Sequence, residues 1–192
     1  MSSFSPTRRA LLTASLAAPF ALAGTRAGAV QTEDGRFHEP WFVETFLDLA
    51  EDIGEATGAG RRFVVVWEQR GCPFCRDMHT VHFADPTITD YLKANFDILQ
   101  LDLHGAREVT DFDGTKLPEK AFAARYGVRL TPTFQFFPES PAGLTAKAPM
   151  AREVARMPGL LAPRDFLAMF RFVRDKAYET MSFPDYARTR AG

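Results

Sequence analysis

The chain has only two cysteines, and they stand three residues apart in Gly71-Cys72-Pro73-Phe74-Cys75. If this stretch opens a helix, the i, i+3 spacing brings both sulfurs to one face, close enough to bond. Gly71 permits a tight turn just ahead of them, and Pro73 suits a first helical turn, where its missing N–H would have no partner. Arg62-Phe63-Val64-Val65-Val66-Trp67 precedes the turn and reads as a buried strand. Strand, tight turn and Cys-x-x-Cys at a helix start predict a site for thiol–disulfide exchange.

The physical reason is electrostatic. A free thiol of pKa near 8.5 is only about 3% thiolate at pH 7, and the thiolate is the attacking species. Unpaired N–H groups and the dipole at a helix start favour that anion. Cys72, nearer the turn and solvent, is the expected nucleophile; Cys75, one turn in, is the expected buried, resolving thiol. Arg70 and Arg76 add positive charge nearby and Glu68 opposes it. A purely structural bridge over so short a ring would add only about 2 kcal/mol in the loop-entropy picture. Haem attachment requires His directly after the second cysteine, where this chain has Arg76. A metal site stays open, because Cys72, Cys75 and His79 fall on one helical stripe with His82 a turn further, although zinc would need a fourth ligand.

Residues 1–29 read as a cleaved export signal. They carry Arg8 and Arg9, no acidic residue, and an apolar stretch from Leu11 to Ala23 that Pro19 interrupts and that is too short to span a bilayer. Thr7-Arg8-Arg9-Ala10-Leu11-Leu12 is similar to a twin-arginine (Tat) signal, with Sec export as the alternative, and Ala27-Gly28-Ala29 fits the cleavage pattern. Either route leads to the periplasm, where disulfide chemistry is permitted. Loss of Arg8, Arg9 and Arg26 from a chain of net charge −1 leaves −4, and the remainder, residues 30–192, suits one domain. A mildly acidic surface gives no reason to expect nucleic-acid binding, and no segment calls for stable membrane insertion.

Further along, Trp41, Phe42, Phe46, Leu49 and Ile53 predict a helix from Pro40 to the Gly58-Ala59-Gly60 break. The cysteine helix should continue through Met78 and Phe83 until Asp85-Pro86, followed by a second helix and a strand over Asp97–Leu103. Glu108–Leu117 suits a hairpin turning at Asp113-Gly114; its acidic spacing does not match an EF-hand. A helix over Pro118–Tyr126 precedes Thr131-Pro132 and an aromatic strand. Pro132 is a good place for a cis bond. A last strand over Glu153–Met157, a closing helix over Pro163–Tyr178 and a loosely packed tail complete the chain.

Cys-Pro-Phe-Cys at a helix start, with Thr131-Pro132 some sixty residues later, resembles the thioredoxin superfamily. Four segments (WEQRGCPFC, EVTDFDG, TPTFQFF and MPGLLAP) are similar to the periplasmic thioredoxins of the sulfur-oxidation (Sox) system, the SoxW family. The resemblance covers nearly all of residues 30–192. It implies an α/β, thioredoxin-like fold: a central mixed sheet flanked by helices, here with a small hairpin insertion and an extra C-terminal tail. It makes Pro132 a cis-proline facing the cysteines, with Thr131, Pro73 and Phe74 alongside to receive an extended client segment by strand addition. Thioredoxins often carry a buried Asp six residues before the first cysteine. This chain has Val66 there, and Glu68 is either a substitute general base or a solvated carboxylate at the strand end.

The resemblance further implies a thiol–disulfide oxidoreductase with no cofactor beyond a redox-active Cys72–Cys75 disulfide, and no resident metal. Its clients would be disulfide-bearing proteins, a Sox sulfur-carrier protein among them, and its electron donor a CcdA/DsbD-like membrane thiol transporter. Phe74 neither donates a hydrogen bond nor carries charge, which predicts a reducing-to-intermediate potential. Two other readings remain: a DsbA-like thiol oxidant, and a metal-binding or chaperone module using the two cysteines and His79.

Overall fold

A computed structural model describes Met1 and residues 29–189. The expected export signal, apart from Met1 and Ala29, lies outside the described residues. The architecture is mixed α/β, as expected. Its centre is a four-stranded sheet in the order β4-β3-β7-β8, formed by β3 (Arg62–Glu68), β4 (Phe96–Asp102), β7 (Thr133–Phe136) and β8 (Ala155–Pro158). β3 and β4 run parallel from Arg62↔Phe96 to Glu68↔Asp102, while β7 is antiparallel to both β3 and β8.

Every residue of β3 is buried, because the strand is covered on both faces. The pleat divides its side chains between two cores. Val64 and Val66 join Ile98, Phe134 and Phe136 beneath α3 (Pro86–Asn95) and α5 (Pro163–Arg174). Phe63, Val65 and Trp67 join Leu99 and Leu101 beneath α1 (Leu49–Gly58) and α4 (Glu119–Arg125). The first core is rich in edge-on phenylalanine pairs, such as Phe136 with Phe170 at 5.1 Å, an arrangement that ring quadrupoles favour.

The expected helix from Pro40 begins instead at Leu49. Asp48 caps it, its carboxylate accepting from the N–H groups of Ala50 and Glu51. Ahead of the cap, Leu47 adopts a positive φ of 61°, and the segment divides its apolar residues: Phe42 enters the first core, Leu47 the second, and Phe46 is left 97% exposed. The cysteine helix, α2 (Pro73–Asp77), continues as a π-helix over Met78–His82. The second hairpin pairs β5 (Glu108–Thr110) with β6 (Lys116–Pro118). Its turn is longer than two residues, with Asp111 N–H donating to Thr115 and Gly114 N–H to Asp111.

Two further elements depart from the sequence reading. Residues before Pro40 form a short hairpin, β1 (Val30–Gln31) with β2 (Phe37–His38), closed by Gly35 at φ +82°. The tail is not loose: α6 (Phe183–Thr189) buries Tyr186 against Phe172, and the Tyr186 hydroxyl donates to Asp175.

Candidate active site

β3 delivers the chain to the edge of the core at Glu68, and Gln69–Gly71 turn it back, with Gly71 at φ +71°. Cys72 then caps α2, and Pro73 occupies the first turn, where no N–H is missed. Cys72 and Cys75 are joined by a disulfide, their Cα atoms 5.2 Å apart. The Cys75 N–H donates to Cys72 Sγ at 3.1 Å. A sulfur stands where an aspartate or serine oxygen would cap an ordinary helix, so negative charge on Cys72 meets a donor already in place. Cys72 is the more exposed of the pair, at 8% against 3% for Cys75.

The strand β7 brings the second half of the site. The Thr131–Pro132 peptide is cis, and the Thr131 carbonyl oxygen lies 3.4 Å from Cys72 Sγ. Pro132 is buried, and its own carbonyl accepts from Gly159 N–H. Phe74 and Leu130 stand exposed at 59% and 48%, while Pro73 is also open to solvent. Thus Cys72, Cys75, Pro73, Phe74, Thr131 and Pro132 all gather at one sheet end.

Glu68 is not a solvated strand-end carboxylate. It is 1% exposed and accepts hydrogen bonds from His79 Nε2 at 3.0 Å and Gln100 Nε2 at 2.8 Å. The other ring nitrogen of His79, Nδ1, lies 2.9 Å from Glu39, whose second oxygen accepts from Trp41 Nε1 at 3.0 Å. Burial alone would lower the His79 pKa, but the two carboxylates outweigh it and raise it to about 9. An imidazolium donates from both nitrogens, one to each carboxylate, so charge and hydrogen bonding agree.

This arrangement turns His79 away from the role of metal ligand beside the cysteines, because both nitrogens already face carboxylates. Among the described residues, no His, Cys, Asp and Glu grouping could hold a metal ion. His82 is held away from the cysteines through one nitrogen: its Nε2 lies 2.8 Å from the Leu161 carbonyl, its ring packs edge-on against Phe166, and its buried Nδ1 has no hydrogen-bond partner.

A cavity of about 420 Å³ opens beside the disulfide. Glu68, Cys72 and Cys75 line one side, and Arg36 and Phe37 of the first hairpin the other. Phe37 stacks on His79 at 5.7 Å, and its carbonyl accepts from Gln100. Sequence reasoning missed this wall and Glu39 entirely. No spacing links Glu39 to Glu68 or His79; only Trp41, two residues on, hints that Glu39 is held.

Residues 49–174 match the family model described as a thioredoxin-like domain. Among solved structures, the chain is similar to a thioredoxin-fold protein from Helicobacter pylori, with 18% identity and a TM-score of 0.53 over 69% of this chain and 86% of that one. It is also similar to a thioredoxin from Thermus thermophilus, with 30% identity and a TM-score of 0.46 over 64% of this chain and 81% of that one. A comparison with curated proteins found no match.

Proposed function

Because the chain belongs to the thioredoxin-like domain family, we propose that it is a thiol–disulfide oxidoreductase working in the periplasm as a reductase. One observation carries this reading: Cys72 Sγ caps a helix, accepts the Cys75 N–H and faces the cis-Pro132 turn. Cys72 as thiolate attacks a client disulfide, forming a mixed disulfide and releasing one client sulfur. Cys75 then attacks Cys72, closing the Cys72–Cys75 bond and freeing the second client sulfur. Glu68 accepts the proton that Cys75 gives up. The client backbone lies extended along Thr131 and Pro132, against the exposed Phe74.

The leader carries the chain out of the cytoplasm by the Tat or Sec route. The spent disulfide is reduced again by a CcdA/DsbD-like membrane thiol transporter. The SoxW resemblance makes a Sox sulfur-carrier protein the first client to test. Among the described residues no helix is long and apolar enough to cross a membrane.

Insulin reduction with dithiothreitol tests the chemistry. The wild-type protein accelerates precipitation, and Cys72→Ser abolishes the acceleration. Equal turbidity curves for the two proteins would sink the assignment. A Cys75→Ser variant, which stops at the mixed disulfide, should trap the client in periplasmic extract.

A further inference from the structure

The buried chain Trp41–Glu39–His79–Glu68 ends at Glu68 in the cavity that Cys75, the cysteine that must lose a proton, also lines, yet exchange between sulfurs does not by itself require it. All three ionisable members are almost wholly buried. Burying two carboxylates and an imidazole costs several kcal/mol unless each is paired, and here the pairing runs without a gap. We propose that His79 and Glu39 are positioning residues for Glu68: they hold its carboxylate ionised and fixed in the cavity that Cys75 also lines. The inference rests on the oxidoreductase reading and adds to it two residues that do not touch the sulfurs.

The step they serve balances as follows. Glu68 takes the proton from the Cys75 thiol, directly or through one water for which the shared cavity has room. The Cys75 sulfur bonds to Cys72 Sγ, the Cys72–client bond breaks, and the client sulfur leaves with the bonding pair. The Cys72–Cys75 pair is oxidised by two electrons and the client disulfide is reduced.

His79 supplies the positive charge that keeps Glu68 ionised, and Glu39 supplies the second acceptor that keeps His79 cationic. The raised basicity of His79 agrees with this order. Other groups facing the cluster come from β4, the first hairpin with the loop after it, and α2. Gln100 on β4 bridges Glu68 to His38 Nδ1, and His38 in turn lies 3.8 Å from Glu44. Arg36 on the hairpin, paired with Asp34 and Asp102, and Arg76 on α2, paired with Asp77, line the same cavity. Phe37, Phe42 and Phe83 enclose the imidazole and exclude water.

Reduced protein treated with the disulfide DTNB separates the two steps, because the first thionitrobenzoate released reports Cys72 attack and the second reports resolution by Cys75. In His79→Gln the second phase should slow about tenfold at pH 7, its pH midpoint moving up by about one unit, with the first phase unchanged. The near-isosteric Glu39→Gln should shift the midpoint the same way by less. In a Glu68→Gln background, neither substitution should add anything. The inference is overturned if the variants lower the melting temperature but leave the second-phase pH profile unmoved, or if they slow it equally without Glu68. Failure of the wild type to reduce insulin would strike the reductase reading instead, whatever the DTNB phases do.

Discussion

Asp52 illustrates how one residue's surroundings set a pH dependence away from the sulfurs. It sits in the first turn of α1, 5% exposed, at the floor of a cavity of about 170 Å³ shared with Glu55, Arg61 and Asp97. Burial pushes its carboxyl up to about 7, helped by Glu55, Asp48 and Glu51, and the Thr45 hydroxyl, donating at 3.2 Å, only partly opposes this. The folded protein therefore binds this proton more tightly than the unfolded chain does. The stability it contributes is complete below pH 3.8 and is lost as pH rises through about 7. Asn in its place never ionises. Asp52→Asn should thus be more stable than wild type at pH 8 by about 1–2 kcal/mol, allowing for solvent at the cavity mouth, and indistinguishable from it near pH 4. Urea unfolding at the two pH values checks this, and an equal difference at both would contradict it.

At the scale of elements, the parts written in local pattern were legible and those written in distant contacts were not. The β-branched run of β3, the Gly-Cys-Pro turn and the Thr131-Pro132 entry to β7 each follow from a few adjacent residues. The start of α1 does not, since its apolar spacing extends back to Trp41 while the backbone breaks at Leu47 to feed both cores. Likewise a π-helix over Met78–His82 bonds i to i+5, which a 3.6-residue stripe does not anticipate, and His79, set by that stripe beside the cysteines, pairs instead with Glu39 and Glu68. The first hairpin is only two residue pairs, too short for alternation to register. α6 teaches the same lesson in energetic terms. Tyr186 is one of two aromatics in a short tail; like Phe183 it meets Phe172, at 5.4 Å, and it also hydrogen-bonds Asp175 at 2.6 Å. Tyr186→Ala should cost about 3 kcal/mol, lowering the chemical-denaturation midpoint without altering the DTNB phases. A loss below about 0.5 kcal/mol would mean the helix is not docked in solution.

For the molecule as a whole, direction of electron flow is a difference in stability between two covalent states. Whatever stabilises the dithiol form relative to the disulfide form makes the protein an oxidant, and the reverse makes it a reductant. Here the Cys72 thiolate gains the Cys75 N–H and the start of α2, but the neutral Phe74 lies exposed beside it and the acidic side chain of Glu68 lines the adjoining cavity. Those last two features limit how far the dithiol form is favoured. The reductase reading therefore requires the oxidised protein to unfold at a higher denaturant concentration than the reduced protein. A DsbA-like oxidant would show the opposite order. The two reference potentials, near −270 and −120 mV, differ by about 7 kcal/mol at 1.4 kcal/mol per 30 mV, so the sign is readily measured. Paired guanidinium unfolding of the disulfide and dithiol forms at pH 7 supplies it. Greater stability of the dithiol form would leave the exchange chemistry of Cys72 and Cys75 intact, but would reverse the direction in which this fold passes electrons to its clients.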